Sequence, residues 1–170
     1  MTDSQAFHRT MLSRPLPALL VIGAGLAVDQ ATKFLVETHL PVEQAVGVLP
    51  VLSLYRTFNE GIAFSMLSDQ SGLMIVVMRL VIVAAVIWWW QRSLSAGWLL
   101  HLGFALIVSG AIGNLIDRFL YGHVIDFVLF HVGNWSFAVF NVADAMITVG
   151  AVAVGIHELF LVRDPDKIAD

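Results

Sequence analysis

Four stretches of this 170-residue chain are long and apolar enough to cross a lipid bilayer. They run from about Leu16 to Val36, Leu73 to Trp90, Trp98 to Leu120 and Asn141 to Val162. A crossing takes roughly 20 residues of helix, and in lipid only helices or closed barrels satisfy every backbone polar group. The chain is 58% hydrophobic and 13% charged, with a mean hydropathy of +0.83, far from the composition of an ordinary soluble domain. The expectation is therefore an all-α integral membrane protein, a single domain over residues 1–170 with four transmembrane helices.

Positive charge sets the expected orientation. Arg9 and Arg14 precede the first span, Arg92 lies between the second and third, and Arg163 and Lys167 follow the fourth. These belong on the cytoplasmic side, so both termini are expected there. Arg9 and Arg14 ahead of an apolar run resemble a signal peptide, but no small-x-small cleavage site follows and Asp29-Gln30 continues the segment. A retained first helix is the expectation. The second span ends in Trp88-Trp89-Trp90, an interfacial aromatic cluster.

The link between spans one and two is too long for a turn. Residues 43–68 are rich in Val, Leu, Tyr and Phe, punctuated by Pro50 and Gly61. A small extracytoplasmic β-sheet between helices 1 and 2 is expected there. The stretch from His123 to Phe140 is open between added strands and an interfacial helix.

Several function classes are excluded or disfavoured. Without cysteine there is no thiolate nucleophile, disulfide or Cys-based metal site. No basic stripe points to nucleic acid. The six histidines share no ligand spacing, so no metal is expected, and Ser65, Ser68 and Ser71 lack a nucleophile-elbow context.

The polar residues of the spans collect at one level. Asp29, Gln30, Thr32 and Lys33 come near the outer end of span one. Asn114, Asp117 and Arg118 come near the outer end of span three, and Asn141 and Asp144 at the outer start of span four. Asn59 and Asp126 lie in the two outer links. Carboxylates within or beside a bilayer are costly unless paired or wet, so this convergence marks a site.

Bland readings compete for several of these residues. Asp29 and Lys33, four apart, are spaced for an intrahelical ion pair, though a lipid-headgroup role fits equally. Asp117 beside Arg118 reads as structural. Asn141 is the better helix cap, which leaves Asp144 in the first turn of span four. Arg79 inside span two needs a partner or a route to water, and snorkelling is the commoner explanation. Gly110 and Gly113 would let another helix or a substrate approach closely.

The motifs then resemble those of the bacterial lipoprotein signal peptidase, or signal peptidase II, family. Asp29-Gln30-Ala31-Thr32-Lys33 looks like its first motif and Phe58-Asn59-Glu60-Gly61-Ile62-Ala63-Phe64 its second. Gly110 to Arg118 resembles the third; Val124-Ile125-Asp126-Phe127 and Phe140-Asn141-Val142-Ala143-Asp144 resemble the last two. Ser109, Ala138 and Ala145 stand where glycine, proline and serine are common.

The resemblance implies an aspartic endopeptidase of the inner membrane, with its active site at the periplasmic face and Asp126 and Asp144 as catalytic pair. Its substrates would be diacylglyceryl-modified prolipoproteins, cut just before the lipidated cysteine. It also implies no cofactor and inhibition by globomycin. Asn114, Arg118 and Asn141 would orient the pair and the substrate. Asn59 and Gly61 would belong to the outer sheet, and Asp29 and Lys33 would support the site or meet lipid headgroups. A monomer suffices for such a bundle. The competing class is a small proton-coupled transporter or channel subunit, which expects polar groups spread through the membrane depth.

Overall fold

The computed structural model describes residues 15–60, 71–93, 96–133 and 135–161. Four long helices are present: α1 (Pro15–His39), α2 (Ser71–Arg92), α3 (Trp98–Tyr121) and α4 (Val142–Ile156), the last continued by a π-helical turn at His157–Leu161. Among the described residues, three helices are long and apolar enough to cross a membrane: Leu16–His39, Trp98–Tyr121 and Val142–Phe160. α2 forms the fourth helix of the bundle. The outward faces are apolar, as lipid requires; on α1 they include Leu19, Leu20, Phe34 and Leu35, each more than half exposed.

α3 is the central helix, packed against α1, α2 and α4. Its contact with α4 runs over glycine. A Cβ on Gly103 would lie 2.8 Å from the Gly150 carbonyl oxygen, and one on Gly150 would lie 2.6 Å from that of Gly103. Farther along the same seam, a Cβ on Gly110 would collide with the Ala143 carbonyl. On the α1 side, buried Ser109 donates from Oγ to the Ile22 carbonyl at 3.0 Å. At the other end of α3, Trp90 Nε1 donates to His101 Nδ1 at 2.8 Å beside a core of Leu100, Phe104 and Val154.

The expected small sheet is present and is larger than the first link alone would make it. It has four antiparallel strands in the order β1-β2-β3-β4: β1 (Ala45–Leu49), β2 (Leu52–Asn59), β3 (Val124–Val132) and β4 (Trp135–Ser136). Only β1 and β2 come from the link between the first two helices. β3 and β4 come from the link between α3 and α4, so the sheet ties the two links together. The reason is burial: β2 alone could not cover the apolar residues Ile125 and Phe127, which pack with Val36, Leu40 and Phe58 over the end of α1. Arg56 fastens β2 to that end, donating from one guanidinium nitrogen to the carbonyls of Glu37 at 2.8 Å and Leu40 at 3.1 Å. Those are orphan carbonyls at a helix C-terminus.

Candidate active site

Asp126 and Asp144 reach one place by different routes. α3 stops at Gly122, which takes the left-handed conformation (φ 79°) and donates its N–H to the Arg118 carbonyl. A residue with a Cβ would be strained there. The turn feeds directly into β3, and the Ile125 N–H donates to Asp117 Oδ2 at 3.3 Å, pinning the strand start to α3. Asp126 follows, opposite Thr57 in the ladder with β2. Asn59, two residues beyond Thr57, is therefore its diagonal neighbour on the same face, and its Nδ2 donates to Asp126 Oδ2 at 2.9 Å.

Asp144 is set by the start of α4. Phe140, just before the helix cap, is held to β3, with the N–H groups of Phe127 and Val128 donating to its carbonyl. Asn141 then caps the helix: its Oδ1 accepts from the Asp144 N–H at 2.9 Å, and its own N–H donates to Asp144 Oδ2 at 3.2 Å. This reciprocal box leaves Asp144 Oδ1 free to accept from Asn114 Nδ2 at 2.7 Å.

Asn141 is the hub. Fully buried, it donates from Nδ2 to Asp126 Oδ1 at 2.7 Å, to Asn114 Oδ1 at 3.0 Å and to the Ile125 carbonyl at 3.2 Å. One side chain thus touches Asp126 and Asp144 at once. Burial pushes the Asp126 carboxyl up from 3.8 to about 6; the Asn59 hydrogen bond opposes this and the charge of Asp144 adds to it. Both effects follow from a carboxylate losing water beside another carboxylate.

Behind the pair lies a closed ion cluster. Lys33 Nζ is 2.9 Å from Asp29 Oδ2, 2.7 Å from Asp117 Oδ2 and 3.2 Å from Asn114 Oδ1. Asp29 Oδ1 accepts from the Ala143 N–H at 2.9 Å, so the cluster also grips α4. Gln30 Nε2 closes it by donating to Asp29 and Asp117. A Cβ on Gly113 would lie 2.5 Å from Asp29 Oδ2, so glycine is what admits the carboxylate. Asp29, Lys33 and Asp117 are each at most 2% exposed. That burial corrects the headgroup alternative for Asp29 and Lys33: neither reaches the surface.

Of the residues singled out in the sequence, Asp29, Lys33, Asn59, Asn114, Arg118, Asp126, Asn141 and Asp144 come together. Arg118 holds the end of β2, its guanidinium facing the carbonyls of Asn59 and Glu60 at 3.5 and 3.4 Å. Gly61 lies outside the described residues. Sequence reasoning placed Gln30 and Asp117 in the polar convergence but gave Gln30 no role and read Asp117 as structural. The signal was there in Asp117: it follows Asn114 by three and so shares its helix face.

Asp144 also opens onto a cleft of about 210 Å³ between α2, α3 and α4. Arg79, Asn114 and Asp144 form its polar end; Ile82, Val83 and Ile147 are among its apolar walls. α2 packs on α3 but scarcely on α4, so the cleft faces sideways.

A family described as "Signal peptidase (SPase) II" matches residues 21–160. The lipoprotein signal peptidase of Sinorhizobium fredii is 56% identical over 152 residues, 89% of this chain and 92% of that one. The lipoprotein signal peptidase of Allorhizobium ampelinum is 51% identical over 163 residues, 96% of this chain and 98% of that one. A bacterial membrane enzyme solved by the in meso method at 1.9 Å superposes with a TM-score of 0.78 and 26% identity, covering 86% of this chain and 94% of the other. The chain belongs to the signal peptidase II family.

Proposed function

We propose that this protein is an aspartic endopeptidase that removes the signal peptide from diacylglyceryl-modified prolipoproteins, cutting just before the lipidated cysteine. The observation that supports the reading is one residue, Asn141, engaging two carboxylates, its side-chain amide on buried Asp126 and its backbone N–H on Asp144, which opens onto a cleft. Two carboxylates held this way share a proton. Asp126, with its raised pKa, takes that proton first. Asp144 then draws a proton from a water bound between them, and the oxygen attacks the scissile carbonyl. Asp126 gives its proton to the carbonyl oxygen, forming a neutral tetrahedral intermediate. Collapse of that intermediate breaks the C–N bond, with a proton passing to the leaving amine. The pair titrates as a unit.

Asn114 and Asn141 orient the carboxylates, and Arg118 and Asn59 hold the sheet edge over the substrate. Lys33 and Asp29 anchor Asn114 and the start of α4. No metal or cofactor takes part in this chemistry. The site faces the periplasm of the inner membrane, with both termini cytoplasmic, and one copy of the chain suffices. Globomycin inhibits by occupying the pair.

The test is processing of a lipidated precursor in detergent. Asp126→Asn and Asp144→Asn should each lower kcat/KM by about 10³-fold or more, with unfolding midpoints that still show a folded protein. Near-normal cleavage by either folded variant would refute the assignment. Loss of wild-type cleavage on adding globomycin is expected alongside.

A further inference from the structure

Arg79 has no part in the chemistry just described, yet it lines the same cleft as Asp144 and Asn114. It lies within electrostatic reach of Arg118, a like charge. Among the described residues it makes no hydrogen bond or ion pair, although Asp144 shares its cleft. A half-buried guanidinium in that position presents five donors and no acceptor. Its surroundings restrict what can answer them. The Asn114 amide is already committed to Asp144, Lys33 and Asn141, and the rest of the lining is apolar: Ile82, Val83, Ile107, Ala111 and Ile147.

Away from Asp144 a peptide backbone is a poor occupant, because it brings as many N–H donors as carbonyls and the apolar walls there have nothing to accept them. The fitting group carries acceptors only and continues into hydrocarbon. Arg79 lies eight residues inside α2, about 12 Å of helical rise from its first residue. That depth suits glycerol esters better than the phosphates outside them.

We propose that Arg79 is a specificity-determining residue that donates to the ester carbonyl oxygens of a diacylglyceryl group, one acyl chain of which lies along Ile82, Val83 and Ile147. The proposal rests on the peptidase reading above. The same diacylglyceryl chemistry occurs in the lipidated cysteine of a precursor and in bulk phospholipid, and the two sources are separable.

The experiment compares two precursor peptides in an ester-free detergent, one bearing an S-diacylglyceryl cysteine and one its dialkyl-ether analogue of equal chain length. A hydrogen bond from a charged donor supports an ester preference of about tenfold in kcat/KM, carried mainly by KM. Arg79→Met should reduce that ratio to about one. Arg79→Lys, which keeps the charge and loses the fork, should fall between them and guards against a misfolded Met variant. In a second arm, ester- or ether-linked phosphatidylcholine is added. Competitive inhibition by the ester lipid alone, relieved in Arg79→Met, identifies bulk lipid as an occupant; without such inhibition, an Arg79-dependent ester preference identifies the substrate as the occupant. A wild-type ratio of one, or a ratio that Arg79→Met leaves unchanged, together with no ester-specific inhibition, overturns the proposal. Wild-type protein that cleaves neither peptide would instead sink the peptidase reading itself.

Discussion

Asn59 and Asn141 both aim amide N–H groups at Asp126, and both pull its pKa down against the larger lift from burial. Asn59 is the one of the two that can be removed without uncapping α4. Asn59→Leu deletes a donor that favours the charged carboxylate, so the Asp126 pKa should rise above its value of about 6. A shared-proton pair works only while one proton remains, so activity falls as pH rises through the upper pKa of the pair. The alkaline limb of kcat/KM should lie near pH 6 in the wild type and move to higher pH in Asn59→Leu. A limb that moves down, or stays fixed, would remove Asn59 from the proton balance. At this scale much was legible. Asn141 as cap and the Asp29–Lys33 pair follow from spacing and appear as expected. The second carboxylate on Lys33 was not legible, because Asp117 and Lys33 are 84 positions apart and nothing local joins them.

α3 and α4 meet along a glycine seam, and that seam sets where Asp144 stands relative to Asn114. Gly110 is the critical position, since the atom opposing a new Cβ is the backbone carbonyl of Ala143, which cannot rotate away. Gly110→Ala should cost about 1–3 kcal/mol by overpacking and lower kcat more than KM, because α4 must shift away from Asn114 and carry Asp144 with it. Thermal unfolding in detergent and steady-state kinetics on one preparation check both parts. An unaltered kcat in a destabilised protein would detach the seam from the site. Gly110 and Gly113 announced close approach by lying beside Asn114 in sequence. Gly103 and Gly150 did not, since isolated glycines in apolar helices are common and only the partner's position reveals their use. The strands behaved similarly. β1 and β2 follow from alternation and turn residues, whereas Val124–Val132 is apolar on both faces at its start and gives no period to read.

In the whole molecule, the polar residues of five separate segments occupy one level, as their places along the spans implied. What sequence did not reveal is that α2 leaves α4 uncovered, because packing between non-adjacent helices depends on side-chain fit at every turn. The resulting cleft is bordered by Asp144 at one end and faces sideways between α2 and α4. A substrate whose signal segment is itself a membrane helix is expected to approach from that side. The chain has no cysteine, so a pair introduced as Ile82→Cys and Ile147→Cys is the only target for a thiol cross-linker. Both positions line the cleft, one on α2 and the other on α4. Joining them with a bis-maleimide that contains a disulfide should block cleavage of a lipidated precursor by about tenfold or more, on the same scale as losing a correctly oriented approach. Reducing the linker should restore the rate measured before cross-linking. If the joined protein processes its precursor undiminished, the substrate enters by another route and the opening between α2 and α4 serves some other purpose.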